Sequence, residues 1–215
     1  MIKYLIFDLD WTLIRSNKQN LKIVLNEIEK YDDKYLEKAK YLFSTTPWMP
    51  LYNQLNILFG EKNLTDTKIK NLCEKIYKKF NKKSDKIEFF EWVSEKIIEL
   101  SKKYKIFLTT WNSTKFAKNV LEKWGIIECF DLIFWSDEIK KWSQHLDIFK
   151  NYSEDESFFD NSIYFWDWDM DKLFALEKNI KFVRVWDKQD INEEFIDSIA
   201  NIDNILGKYK DWLKK

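Results

Sequence analysis

Residues 2–13 read IKYLIFDLDWTL, and this stretch decides the fold class. The apolar run over residues 2–7 is short and rich in β-branched and aromatic side chains, which is typical of a buried strand in a parallel sheet. Two acids, Asp8 and Asp10, follow at alternate positions. Because side chains alternate along a strand, both carboxylates point to the same side. We therefore predict a buried strand that carries a pair of carboxylates at its carboxyl end.

A carboxylate pair at a strand end is compatible with more than one role. The oxygens can bind Mg²⁺, or one acid can act as a nucleophile while the other transfers protons. The same residues can also be helix caps or turn acids without any catalytic part. The choice between these roles depends on the rest of the chain.

Beyond this stretch the periodicity of apolar residues changes twice. From about residue 17 to 84 apolar residues recur at intervals of three and four, which predicts four amphipathic helices and no strand. After that, predicted strands alternate with predicted helices. The strands are 105–110, 130–135, 162–166 and 181–186, and the helices are 91–102, 113–124, 144–151, 170–178 and 191–204. This order predicts an α/β fold, a three-layer doubly wound parallel sheet with an inserted all-α segment.

Composition excludes several classes of protein. The 215 residues are 45% hydrophobic, which is enough for a core, and no apolar run approaches the roughly 20 residues of a membrane helix. The 36 basic residues balance 36 acidic ones, so we expect neither nucleic acid nor a membrane as partner. Acids interrupt the N-terminal run and no cleavage site follows, so we expect no signal peptide. Cys73 and Cys129 are too few for a disulfide framework, and we expect a cytoplasmic protein.

The segment FDLDWTL (7–13) closely resembles the first motif of the haloacid dehalogenase superfamily, which is usually FDLDGTL. The second motif of that family is a strand that ends in Thr or Ser. It is matched by KIFLTT, where Thr109 is the best match and Thr110 lies next to it. The family often carries a helical cap between these two motifs, and the predicted helical segment lies at that point. The resemblance implies a Rossmann-like core from residues 1–15 and 89–215 and a cap from residues 16–88.

The third and fourth motifs follow in the right order. The third is a Lys ahead of a helix, and Lys141 in SDEIKKWSQHLDIFK fits it best, with Lys140 as an alternative. The commonest form, Lys followed by Pro, aligns instead at Ser143. The fourth is a strand followed by GDxxxD, which is matched at Asp167 and Asp171. Four ordered motifs are far more specific than any one of them.

The resemblance implies a role for each acid. Asp8 is the nucleophile that attacks phosphorus and forms an aspartyl-phosphate. Asp10 protonates the leaving alcohol and then deprotonates the attacking water. Mg²⁺ is the implied cofactor, held by Asp8, the backbone carbonyl of Asp10, and Asp167. Asp171 supports the site from close by.

The same resemblance assigns the substrate contacts. Thr109, with Thr110 beside it, donates hydrogen bonds to the phosphoryl oxygens, and Lys141 neutralises the phosphate and the nucleophile. The single histidine of the chain, His145, is expected to be a helix-start or core-edge residue and not a catalyst.

These residues predict a function and leave alternatives. An acid at the position of Asp10 favours a phosphatase or, less often, a phosphomutase, and the substrate is a small phosphorylated metabolite. A catalytically weak binding or regulatory protein of the same fold is a third possibility, and an unrelated doubly wound domain is a fourth. The sequence identifies neither the substrate nor the oligomeric state.

Tryptophan and glycine are present in unusual numbers, 11 and 3. Average usage predicts roughly 15 glycines in a chain of this length. Nine of the tryptophans lie where relatives commonly have Gly, or in a turn: Trp11, Trp48, Trp92, Trp111, Trp135, Trp142, Trp166, Trp168 and Trp186. We therefore expect that these nine codons are UGA read as glycine. The alternative is an aromatic-rich core in which all eleven tryptophans are genuine.

Overall fold

The computed structural model describes residues 1–15, 17–46, 49–60, 65–83, 87–135, 143–167, 169–185 and 194–211. Within these residues the strands are β1 Tyr4–Phe7, β2 Lys105–Thr110, β3 Leu132–Trp135, β4 Ser162–Trp166, β5 Lys181–Val185 and β6 Phe195–Ile196. The helices are α1 Asn17–Tyr31, α2 Leu36–Thr45, α3 Leu51–Phe59, α4 Asp66–Lys83, α5 Val93–Ser101, α6 Thr114–Lys123, α7 Ser143–Ser153, α8 Asp169–Glu177 and α9 Asp203–Asp211. None of the helices in the described ranges is long and apolar enough to cross a membrane.

The six strands form one parallel sheet in the order β3-β2-β1-β4-β5-β6, which confirms the predicted α/β class. Phe7 at the end of β1 is in register with Leu108 of β2 on one side and Phe165 of β4 on the other. The carboxyl ends of these three strands therefore meet at one edge of the sheet. The direction of strand order reverses at β1, which is where ligands bind in open α/β sheets.

Both faces of the sheet are covered. On one face, Tyr4 and Ile6 of β1 join a buried cluster with Phe149 of α7 and Phe174 of α8. The side chains at alternate positions, such as Leu5, are also fully buried, and α5 packs against β2. Burial on both faces explains why β1 has four apolar residues in a row instead of an alternating pattern.

The chain divides into two compact units, residues 1–15 with 88–215, and residues 16–87. The second unit contains α1 to α4, as the periodicity of 17–84 predicted, and it has its own core. Ile28, Leu55 and Ile76 are fully buried in that core. Each of the four helices contributes apolar residues to this core. Packing of these apolar faces supplies most of the stability of such helices in a protein.

The chain leaves and re-enters the first unit at neighbouring positions. The N–H of Arg15 donates to the carbonyl of Glu88 at 2.9 Å, and the N–H of Phe90 donates to the carbonyl of Leu13 at 3.0 Å. Ile14 and Phe89 form an antiparallel bridge between the same two segments. The two ends of the insertion are thus joined by backbone hydrogen bonds within the first unit.

One predicted element is wrong. A helix was predicted over 191–204, but Phe195–Ile196 form β6, which adds in parallel to β5, and α9 begins only at Asp203. The hydroxyl of Ser198 accepts a hydrogen bond from the N–H of Ala200 at 3.2 Å and caps a short 3-10 turn. Serine favours such a cap over a helix interior, because its hydroxyl competes for nearby backbone groups.

Candidate active site

Asp8 and Asp10 lie directly after β1, at the carboxyl edge of the sheet. Asp8 is 3% exposed, and its N–H donates to the carbonyl of Phe165 at 3.1 Å, so the pairing with β4 continues one residue beyond the strand. The chain then turns, with the N–H groups of Leu13 and Ile14 both donating to the carbonyl of Leu9 at 2.9 and 3.0 Å. This turn holds Asp10, which is partly exposed, beside the strand end.

Thr110 and Asn112 connect the end of β2 to Asp10. The hydroxyl of Thr110 accepts hydrogen bonds from the backbone N–H of Asn112 at 3.1 Å and from its side-chain Nδ2 at 3.2 Å. The same Nδ2 donates to a carboxylate oxygen of Asp10. Asn112 therefore ties the second acid of the first motif to the loop after β2.

Thr109 lies on the same face of the sheet as the cluster built on Tyr4 and Ile6, since it follows Phe107 at alternate spacing. Its hydroxyl Oγ1 is 2.7 Å from Nδ1 of His145, in the first turn of α7. Each of these two side chains is 1% exposed. Because bulk water is excluded, this hydrogen bond is not exchanged for one to solvent.

Asp167 and Asp171 follow β4. Asp167 is partly exposed, and its backbone carbonyl accepts a hydrogen bond from Nη1 of Arg184 at 3.4 Å. Asp171, in α8, is fully buried. Trp166, the last residue of β4, is 2% exposed and packs edge-on against Tyr164, with ring centroids 5.4 Å apart.

The charges of acids from different elements act on buried Tyr164. Burial is the largest cause that raises the pKa of its phenol well above the usual value. The negative charges of Asp171, Asp8 and Asp167, in that order, raise this pKa further. These acids come from α8 and from the ends of β1 and β4.

The structure places several of the residues that the motifs singled out at neighbouring strand ends. Asp8, Thr109 and Asp167 lie at the carboxyl ends of β1, β2 and β4, and Asp171 lies in α8. Asp10 and Thr110 are joined to them through Asn112 and through the adjacent strands. Lys141 and its alternative Lys140 lie outside the described residues.

Three residues next to the site were not assigned to it from the sequence. Tyr164 and His145 contact residues far away along the chain, so only strand register and helix placement reveal them. Asn112 is nearer, since it lies two residues after Thr110, where a polar residue in a loop after a parallel strand is itself a signal.

The oxygen atoms at this edge suit a hard cation. Carboxylates and backbone carbonyls are the ligands that Mg²⁺ prefers. Among the described residues no group of three or more His, Cys, Asp or Glu side chains has the arrangement of a metal site. The implied set needs only two side-chain carboxylates, of Asp8 and Asp167, with one carbonyl from Asp10, so the residues present fit the ion.

Comparison with known proteins shows the family of the chain. A sequence profile described as haloacid dehalogenase-like hydrolase matches residues 5–185. The match begins in β1 and ends in β5, so it includes the carboxyl ends of β1, β2 and β4. No curated protein sequence matches the chain significantly.

Solved structures with the same fold cover nearly the whole chain. A candidate phosphatase from Clostridium difficile has a TM-score of 0.77 at 17% identity, covering 95% of this chain and 98% of its own. β-Phosphoglucomutase from C. difficile has a TM-score of 0.73 at 18% identity, covering 100% of both chains. CbbY from Rhodobacter sphaeroides, solved with phosphate, has a TM-score of 0.69 at 13% identity, covering 94% of this chain and 96% of its own. At such identities the likeness shows the fold alone.

Proposed function

The chain belongs to the haloacid dehalogenase-like hydrolases, and we propose that it is a Mg²⁺-dependent phosphatase. Its substrate is a small phosphorylated metabolite, which it hydrolyses through an aspartyl-phosphate intermediate. The observation that carries this proposal is that Asp8, Thr109 and Asp167 lie at the carboxyl ends of three adjacent parallel strands, at the edge where strand order reverses. A buried carboxylate beside further carboxylates and a buried hydroxyl suits phosphoryl transfer, which needs a nucleophile, a cation and hydrogen-bond donors.

In the first half of the reaction, a carboxylate oxygen of Asp8 attacks phosphorus and the bond to the leaving alkoxide breaks. Asp10 gives its proton to that oxygen, so the product leaves as an alcohol. The hydrogen bond from Asn112 holds the Asp10 carboxyl near this position. Thr109 donates a hydrogen bond to a phosphoryl oxygen as negative charge shifts.

In the second half, Asp10 takes a proton from a water molecule, and the water oxygen attacks phosphorus. The bond from phosphorus to Asp8 breaks, which regenerates the carboxylate and releases inorganic phosphate. Mg²⁺, held by Asp8, Asp167 and the carbonyl of Asp10, would offset the negative charge that nucleophile and phosphate share. Lys141 is proposed to neutralise the same charges, and Thr110 and Asp171 to support the site.

Residues 16–88 are proposed to serve as the cap that selects the substrate and excludes water. We further propose that the protein acts in the cytoplasm. The free thiols of Cys73 and Cys129 are compatible with a reducing compartment.

A phosphomutase is the second candidate, because β-phosphoglucomutase has the same fold over the whole of both chains. In that reaction a sugar hydroxyl, instead of water, accepts the phosphoryl group from Asp8. Release of inorganic phosphate in proportion to substrate consumed favours the phosphatase, whereas an isomeric sugar phosphate without phosphate release favours the mutase.

The proposal is tested by phosphate release from a panel of phosphomonoesters, with and without Mg²⁺. We expect turnover only with the metal, and a loss of about 10⁴-fold or more in kcat for Asp8→Asn. Asp160→Asn is the matched control, because Asp160 is exposed and precedes β4 at the opposite edge of the sheet. Activity that survives Asp8→Asn refutes the mechanism, and binding of phosphate without turnover by the unaltered protein favours a binding protein.

A further inference from the structure

The hydroxyl of Thr109 has a buried partner in α7. Its Oγ1 is 2.7 Å from Nδ1 of His145. Both side chains are 1% exposed.

The protons in this group can be assigned by counting. A threonine hydroxyl has one proton and two lone pairs. If His145 accepted the hydroxyl proton at Nδ1, Thr109 would present only a lone pair to a phosphoryl oxygen, and the two would repel.

We propose that His145 is a positioning residue that turns Thr109 into a hydrogen-bond donor toward the substrate. The N–H at Nδ1 of His145 donates to a lone pair of Thr109, so the single proton of Thr109 is directed at the phosphoryl oxygen. This inference rests on the proposed function, in which Thr109 binds that oxygen. It adds that His145 of α7, 36 residues after Thr109, sets the direction of the hydrogen bond that Thr109 donates.

The protonation of Nδ1 can be measured directly, because the chain contains one histidine. Long-range proton–nitrogen correlation spectra of protein labelled with ¹⁵N-histidine report which ring nitrogen carries a proton. With Mg²⁺ and inorganic phosphate added, we expect Nδ1 to be protonated. An unprotonated Nδ1 under these conditions overturns the proposal, and this result does not depend on whether the protein turns over a substrate.

Variants separate positioning from a purely structural effect. We expect His145→Leu to lower kcat/KM at least about tenfold, as loss of one oriented donor would. His145→Asn should recover most of the activity, because its amide N–H can replace the N–H at Nδ1. Thermal melts check that each variant is folded.

A double-mutant cycle gives the decisive comparison. In a Thr109→Val background, His145→Leu should have little further effect on kcat/KM, since its partner is already gone. Full additivity of the two losses overturns the proposal. An unaltered protein without phosphatase activity contradicts the proposed function instead, and leaves the spectroscopic result as the test of the hydrogen bond.

An independent observation concerns Trp11 and Trp92. Their φ angles are 59° and 63°, in the left-handed region that favours glycine, and Gly125 at 65° shows the same conformation at the end of α6. The indole N–H of Trp11 is buried without a hydrogen-bond partner among the described residues. Trp124, by contrast, has φ of −90° and packs on Phe89 at 5.2 Å between ring centroids.

We infer that translation incorporates glycine, not tryptophan, at Trp11 and Trp92. The same inference applies to the other seven of the nine tryptophans given in the sequence analysis. Peptide mass spectrometry of the protein isolated from its source organism tests this directly. We expect glycine in the peptides that contain positions 11 and 92, and tryptophan at Trp124 and Trp212, which serve as internal controls. Tryptophan at positions 11 and 92 overturns the inference.

Discussion

Both units contain buried carboxylates, and the two units treat them differently. In the helical unit Glu27 of α1 is 1% exposed, and its oxygens contact Nζ of Lys75 at 2.8 Å and Nζ of Lys79. Burial alone would raise the pKa of Glu27, but hydrogen bonds and charge from these two lysines outweigh it and lower the pKa to about 2. The helical unit thus supplies the cations that its buried acid needs.

In the first unit, acids lie at the ends of neighbouring strands and in the helix that follows. Asp8 and Asp171 are 3% and 0% exposed, and their charges, with that of Asp167, raise the pKa of Tyr164. Gathering like charges costs free energy, which a bound cation would offset. A buried acid that is paired with lysines of its own unit stabilises the fold. Acids at neighbouring strand ends are instead the residues to test for function.

After the loss expected for Asp8→Asn, the largest effect is expected from Asp10→Asn. Without the proton of Asp10, kcat should fall about 10²- to 10⁴-fold. With an activated aryl phosphate, whose leaving group needs no proton, Asp8 should still be phosphorylated and the intermediate should accumulate. Rapid-quench kinetics should show one equivalent of phenol released in a burst, followed by slow turnover. Unchanged steady-state turnover would place Asp10 with the structural acids.

Metal binding should stabilise the first unit through Asp167. At Mg²⁺ ten times above its Kd the gain is about 1.4 kcal/mol, which raises Tm by roughly 3 to 6 °C. Asp167→Asn should lose this rise, and in chelator it should melt no lower than the unaltered protein because one like charge is gone. Glu27→Gln is the control and should keep the full rise. An equal rise for Asp167→Asn contradicts the assigned ligand.

The opposite behaviour is expected of Glu27 as pH changes. Its folded pKa of about 2 lies below the unfolded value of 4.5, so its stabilisation is complete above about pH 5 and is lost as pH falls toward 2. Glu27→Gln should therefore cost on the order of 2 to 3 kcal/mol at pH 7 and almost nothing near pH 2. Urea unfolding from pH 7 to pH 3 measures this, and equal pH slopes for both proteins would contradict it.

The smallest effects should come from the lysines of the helical unit. Lys79→Met removes one of the cations on buried Glu27 and should cost about 1 kcal/mol. Lys40→Met removes a partner of the exposed Glu37 and should cost no more than about 0.5 kcal/mol. Urea unfolding at pH 7 compares them, and equal losses would show that burial of the acid does not matter here.

Local sequence patterns predicted most of the fold. Strands 105–110 and 162–166 were placed to the residue, because each is a buried apolar run with a polar boundary. Gly125 was correctly placed at a helix end, since it has the positive φ that such an end requires. Strand β6 was not predicted because two residues are too few to show a periodicity. Phe195 and Ile196 form a strand only through their pairing with β5.

The site was only partly accessible from sequence for a related reason. The motif acids stand at strand ends, where a one-dimensional pattern marks them. The bond from Thr109 to His145 spans 36 residues and depends on how α7 lies on the sheet. Tyr164 reads as an ordinary core residue, because the effect of Asp171 and Asp8 on its pKa depends on how α8 and β1 lie against β4.

The paired backbone at Arg15 and Glu88 has a consequence for how such proteins change over time. The two ends of the insertion are held together by the first unit itself, and the entropy of closing a loop grows only slowly with its length. The segment between them can therefore be lengthened, shortened or exchanged without moving any catalytic strand. On the proposal that residues 16–88 select the substrate, grafting the corresponding segment of another family member at this junction should change substrate specificity through one contiguous replacement.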